Sequence, residues 1–135
     1  MLVDGVTVAS GSKIENESGS GYAGVYDIAG STMSKPADGA VLFKFLAPRN
    51  FRLPAGLSGS VAQSTTAPNG AVSYAIKKNG TQIGSMDYAT GSNSGTFTFS
   101  SDVDFAVGDT FSVEAPGTAD DSHNGLLFSF SAEVI

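Results

Sequence analysis

Short runs of this chain place bulky apolar side chains at every second position, and turn residues break each run before it reaches helical length. Val41, Phe43 and Phe45 form the first such set, followed by Val72, Tyr74 and Ile76, then Phe97 and Phe99, then Phe111 and Val113. Leu126, Phe128, Phe130, Ala132 and Val134 close the series. A period of two belongs to a pleated strand, whose successive side chains leave opposite faces; a helix needs apolar residues three and four apart. No ten-residue segment keeps helical spacing, so no crossover helix is available to join parallel neighbours. The expected fold is all-β, an antiparallel β-sandwich, with a jelly-roll or Greek-key path favoured.

Turn chemistry fixes part of the connectivity. Lys78-Asn79-Gly80-Thr81 predicts a two-residue type I′ hairpin, because Asn-Gly tolerates positive φ at both central positions. Its return strand changes phase between Ile83 and Met86, which a β-bulge at Gly84-Ser85 would absorb. Phe51 and Leu53 alternate between Pro48 and Pro54. Proline cannot donate to a ladder, so this run is expected at a sheet edge or where a strand enters at a bend. Phe105-Ala106-Val107-Gly108-Asp109 reads as a turn that tucks one aromatic inward.

Residues 1–38 are read as an extended N-terminal arm and residues 39–135 as the sandwich domain. Within the arm, LVDGVTV at residues 2–8 is β-like, and a Gly/Ser-rich segment follows. Ile14, Tyr22, Val25, Tyr26, Ile28 and Met33 are too many sizeable apolar groups for a linker, so the arm is expected to dock on its own sandwich or on a neighbour. Ile14, Tyr22, Tyr26, Ile28 and Met33 are therefore candidate partner contacts. Arg49 and Arg52, the only arginines, join them: they bridge to carboxylates of a partner or sister subunit, or they are simply a solvated edge.

Composition removes several function classes. Seven Lys and Arg against thirteen Asp and Glu give a net charge of −6, which leaves no basic footprint for nucleic acid. Without cysteine there is no disulfide and no thiolate metal site. Asp4 stands where a basic leader would begin, and no run reaches the roughly 18 apolar residues of a membrane helix, so neither a secretory signal nor a membrane partner is expected. The Asn-x-Ser/Thr matches at Asn16 and Asn79 then have no glycosylation role.

His123 is the lone histidine, which rules out most nucleophile-base triads, so no catalytic residues and no cofactor are expected. Asp120, Asp121 and His123 fit no usual metal-ligand spacing and read as a solvated turn. Asp102 and Asp104, with Asp109 beyond them, lack the Gly-interrupted acidic loop of a calcium site. Tyr22, Tyr26 and Tyr88 are the available sugar-stacking groups, although packing explains them more simply.

The segments PRNFRLPAGLSGS, IKKNGTQIGSM and GTFTFSSDVDFAVGDTFSVEAPGTAD occur in an order that resembles a family of small tailed-bacteriophage virion domains, over about residues 39–121. After Asp120 the sequence departs from that pattern. The resemblance implies a structural virion protein with no active-site residues, made in the host cytoplasm and carried on the capsid surface. A free-standing body with an arm suits a decoration, or cement, protein: a homotrimer that binds the major capsid protein. The alternative is a receptor- or glycan-binding module of a tail or head fibre.

Overall fold

The computed structural model of the chain describes residues 24–135, which form two facing antiparallel sheets. Their strands are β1 (Val25–Ser31), β2 (Val41–Leu46), β3 (Phe51–Leu53), β4 (Val61–Thr66), β5 (Val72–Lys78), β6 (Thr81–Tyr88), β7 (Gly95–Thr98), β8 (Val103–Phe105), β9 (Thr110–Glu114) and β10 (Asn124–Val134). The first sheet has the order β2-β9-β5-β6-β7. The second runs β1-β10-β3-β8, with β4 also paired to β10. A single 3-10 turn, Ala55–Leu57, is the one helical element among the described residues.

β10 organises the second sheet. Its length lets one side pair with β1, while the other side serves β4 at Asn124–Ser129 and β3 at Glu133 and Val134. Leu126, Phe128, Phe130 and Ala132 alternate inward and are buried, as the period of two requires. Phe111 of the first sheet meets Phe130 of the second edge-to-face, with ring centroids 5.0 Å apart, and Phe43 meets Phe128 at 5.8 Å. Phe51 and Phe105 stack at 4.7 Å. Such offset and T-shaped contacts satisfy the ring quadrupoles while removing large apolar areas from water.

The hairpin reading holds in detail: Asn79 and Gly80 have φ of 50° and 84°. The bulge falls one position earlier than expected. Ile76 faces Gly84 and Lys77 faces Gln82, so Ile83 is the extra residue. Gly84 returns the strand to the phase that buries Met86 and Tyr88. A Cβ at Gly84 would lie 2.6 Å from the Thr98 carbonyl oxygen, so the close approach of β7 explains the glycine.

Three expectations change. Val41 is 54% exposed, because the β2–β9 register skips Leu42 and this bulge turns Val41 outward. The Phe51–Leu53 run is not an edge: β3 is paired on both sides, by β10 and β8, and the prolines lie outside its three residues. In the segment read as an arm, Val25–Ser31 is a strand of the sandwich, paired along β10.

The two sides of the sandwich differ. On one, β4 and β7 are fastened across the sheets by a Gln63–Ser94 bridge, by the Ser64 N–H donating to the Asn93 carbonyl (2.8 Å), and by the Asn93 amide donating to the Ser64 carbonyl (2.8 Å). On the other, β1 and β2 end their sheets with no strand beyond them among the described residues.

Candidate functional site: the open side and the loop end

Backbone alternation defines the open edge of β1. The Val134 N–H donates to the Gly24 carbonyl and the Thr32 N–H to the Leu126 carbonyl, so Tyr26, Ile28 and Gly30 are the residues that bond β10. Val25, Asp27, Ala29 and Ser31 then direct their N–H and C=O groups away from it. Unpaired edges of this kind are templates for another chain, and proteins usually blunt them with charge or bulges. Here Asp27 and the Leu42 bulge are the visible blunting devices.

The side chains along this side are unusually apolar for a surface. Val25 is 70% exposed, Met33 94% and Leu46 66%, with Val41 beside them. Tyr26 is half-buried against Phe45 and Phe51, and the Arg49 guanidinium lies 5.5 Å from the Tyr26 ring centroid. A cation over a half-exposed aromatic face is a common element of protein contacts. A cleft of about 420 Å³ near β2 is lined by Val41, Lys44, Thr110, Ser112 and Glu114 among others, and the Glu114 carboxylate there accepts from the Lys77 ammonium at 2.8 Å.

The candidate contacts divide accordingly. Tyr26, Met33 and Arg49 lie on or next to the open side. Ile28 does not: it is buried in the core, so its side chain is unavailable to a partner. Arg52 is also engaged internally, with Nε 2.6 Å and its second nitrogen 3.2 Å from the two Asp104 oxygens directly across the β3–β8 ladder. This fork holds the Asp104 carboxyl below its usual range and raises Arg52. Ile14 and Tyr22 lie outside the described residues.

The remaining acids of that region hold backbone. Asp102 accepts from the Ala55 N–H, and Asp109 from the Ala106 N–H and the Asn79 amide. Tyr88, weighed as a sugar platform, is buried.

The Asp120–His123 turn is the largest departure from the sequence reading. Asp120 accepts from the N–H groups of Asn69, Gly70, Ser122 and His123 and from the Ser122 hydroxyl, at 2.7–3.2 Å, which holds its carboxyl far below the usual range. It thereby ties the β9–β10 connection to the β4–β5 loop. Asp38 adds the β1–β2 loop by accepting from the Ala119 N–H (2.8 Å).

His123 is fully buried, with Nδ1 2.6 Å from the Tyr74 hydroxyl and its ring centroid 4.3 Å from that of Tyr88. Burial pushes the imidazole pKa down, and the Asp120 charge opposes this only in part. Burial likewise pushes Tyr74 up to about 12 and raises Tyr88. The sequence did carry a signal: the one histidine stands directly before the strongest apolar alternation.

Among the described residues no three His, Asp or Glu side chains converge as a metal cluster, and no helix is long and apolar enough to cross a membrane. The chain matches no protein-family model and no curated protein.

Proposed function

We propose that this is a structural protein of a tailed-bacteriophage virion, a decoration or cement protein that binds the outer surface of the major capsid protein shell and stabilises it. The observation that carries the reading is the open side, where the edge strands β1 and β2 have no strand beyond them among the described residues, β1 carries exposed Val25, β2 exposed Val41 and Leu46, Met33 lies between them, and Arg49 sits over Tyr26. Association there would bury aliphatic area and satisfy free backbone groups together. Assembly as a homotrimer suits the three-fold positions of an icosahedral shell. The reading assigns the protein no reaction, cofactor, nucleic acid or membrane.

Of the tyrosines weighed for the fibre alternative, a glycan- or receptor-binding module, Tyr88 is buried, Tyr26 is half-buried with Arg49 over its ring, and Tyr22 lies outside the described residues. The deciding experiment mixes purified protein with emptied shells, then measures co-sedimentation and the temperature at which the shells rupture. Binding with a raised rupture temperature is expected, and Leu46→Asp combined with Met33→Asp should abolish both while leaving the circular dichroism unchanged. Binding to a host polysaccharide with no effect on shells would overturn the proposal.

A further inference from the structure

His123 is the only histidine and sits where the β9–β10 connection enters the sandwich. Its two ring nitrogens are unequally served: Nδ1 faces the Tyr74 hydroxyl, and Nε2 is buried without a hydrogen-bond partner. The neutral tautomer with the proton on Nε2 fits best, because Tyr74 then donates to Nδ1 and a single orphan N–H remains. The opposite tautomer would leave the Tyr74 proton without an acceptor as well.

The groups facing the ring are Tyr74 from β5, Tyr88 from β6 and Asp120 from the connection itself. Both phenols are neutral below pH 10. The Asp120 oxygens already take five hydrogen bonds, four of them from backbone N–H groups, so they are held at the loop backbone. Further charges on that end are Asp38, which accepts from the Ala119 N–H, and Lys35 and Asp121, 3.5 Å apart, of which Asp121 is almost fully exposed.

We propose that His123 is an acid-operated catch: a proton taken up by its buried ring releases the Ala115–His123 connection from the end of the sandwich while the two sheets stay folded. The proton comes from solvent and adds to Nδ1, which turns that atom from acceptor to donor. The Tyr74 hydroxyl must then give up its bond and accept instead, leaving its own hydrogen unpaired. The result is a buried cation with an unpartnered Nε2–H, a state that burial strongly disfavours. Moving the ring into water relieves it, at the cost of the contacts that anchor the connection: those made by Asp120, the Gly39 N–H to the Pro116 carbonyl, and the Ala119 N–H to Asp38. These lie at one end of the sandwich and bury no shared aromatic, whereas the rings of the core are shared between both sheets, so the loop end opens first.

Amide hydrogen exchange on the full chain at pH 7.5 and pH 5, corrected for the intrinsic pH dependence of exchange, tests the catch. The Gly70, Ser122 and His123 amides, all bonded to Asp120, should lose about tenfold protection or more at pH 5. Ile76 and Met86 should keep theirs. Asp120 stays ionised across this window, so the change belongs to the histidine. In His123→Gln the loop amides should show no such pH dependence. An NMR titration of the wild-type imidazole provides a second readout that needs no variant, and its midpoint should coincide with the loop opening and lie below the ordinary histidine value. Loop amides that stay protected at pH 5, that open together with Ile76 and Met86, or that open equally in His123→Gln would each overturn the proposal.

Discussion

Phe130 is fully buried and packs against Phe97, Phe111 and Phe128, with ring centroids 5.0–5.8 Å away. Truncating it removes contacts from both sheets at once, so Phe130→Ala should cost about 3–5 kcal/mol in chemical denaturation. Leu127, three positions earlier and pointing outward at 54% exposure, should shift stability by no more than about 0.5 kcal/mol when changed to Ala. The contrast tests the parity of β10, which was readable from the sequence because a strand's faces alternate without exception unless a bulge intervenes. His123 was not readable in the same way. Five polar residues in a row look solvated, and Tyr74 and Tyr88, distant in sequence, provide walls that bury the imidazole.

Among elements, the β5–β6 hairpin was legible because Asn79-Gly80 has one favoured geometry, while its bulge was mislocated by one residue. Sequence marks a change of phase; the residue skipped depends on which neighbour crowds the backbone, and here β7 does so at Gly84. Gly84→Ala should therefore destabilise the β6–β7 pairing, with earlier exchange of the Met86 and Phe97 amides as the readout, although Gly-to-Ala usually helps a strand. The edge position of β1 gives an opposite expectation. Ala29→Pro removes an N–H that points away from β10, so the variant should fold with its melting temperature within a few degrees of wild type. If the open side is the shell contact, the same variant should bind shells poorly. Of the two placements expected for Phe51–Leu53, the edge is excluded because prolines outside a strand exclude nothing within it, and entry at a bend holds, with Pro48 and Arg49 bent just before the strand.

At the scale of the whole molecule, linkage sets the pH range of stability. Asp104, Asp109 and Asp120 all titrate below their ordinary value of 3.8 when folded, so the unfolded chain binds more protons as pH falls through that value. Their contribution is fully present above about pH 5 and lost progressively in acid, while His123, lowered by burial, begins to cost stability as pH falls below its ordinary 6.5. Tyr74 behaves in the opposite sense: raised to about 12 from 10.0, it contributes stability below pH 10 that is lost as pH rises toward 12. Melting temperatures across pH 3–11 should form a plateau bounded on both sides, and a monotonic profile would contradict the hydrogen bonding described. The all-β class was legible because alternation and turn chemistry agree along the chain. The unequal sides were not, since they depend on which strands the topology leaves last in each sheet.

That inequality limits how such a body accumulates. Because β4 and β7 on the fastened flank are already tied to each other across the layers, a copy attached by its open flank does not present the same pair of open edges on that flank. If the open side is the shell contact, layering should stop after one coat, and the amount bound should plateau at a fixed stoichiometry however much is added.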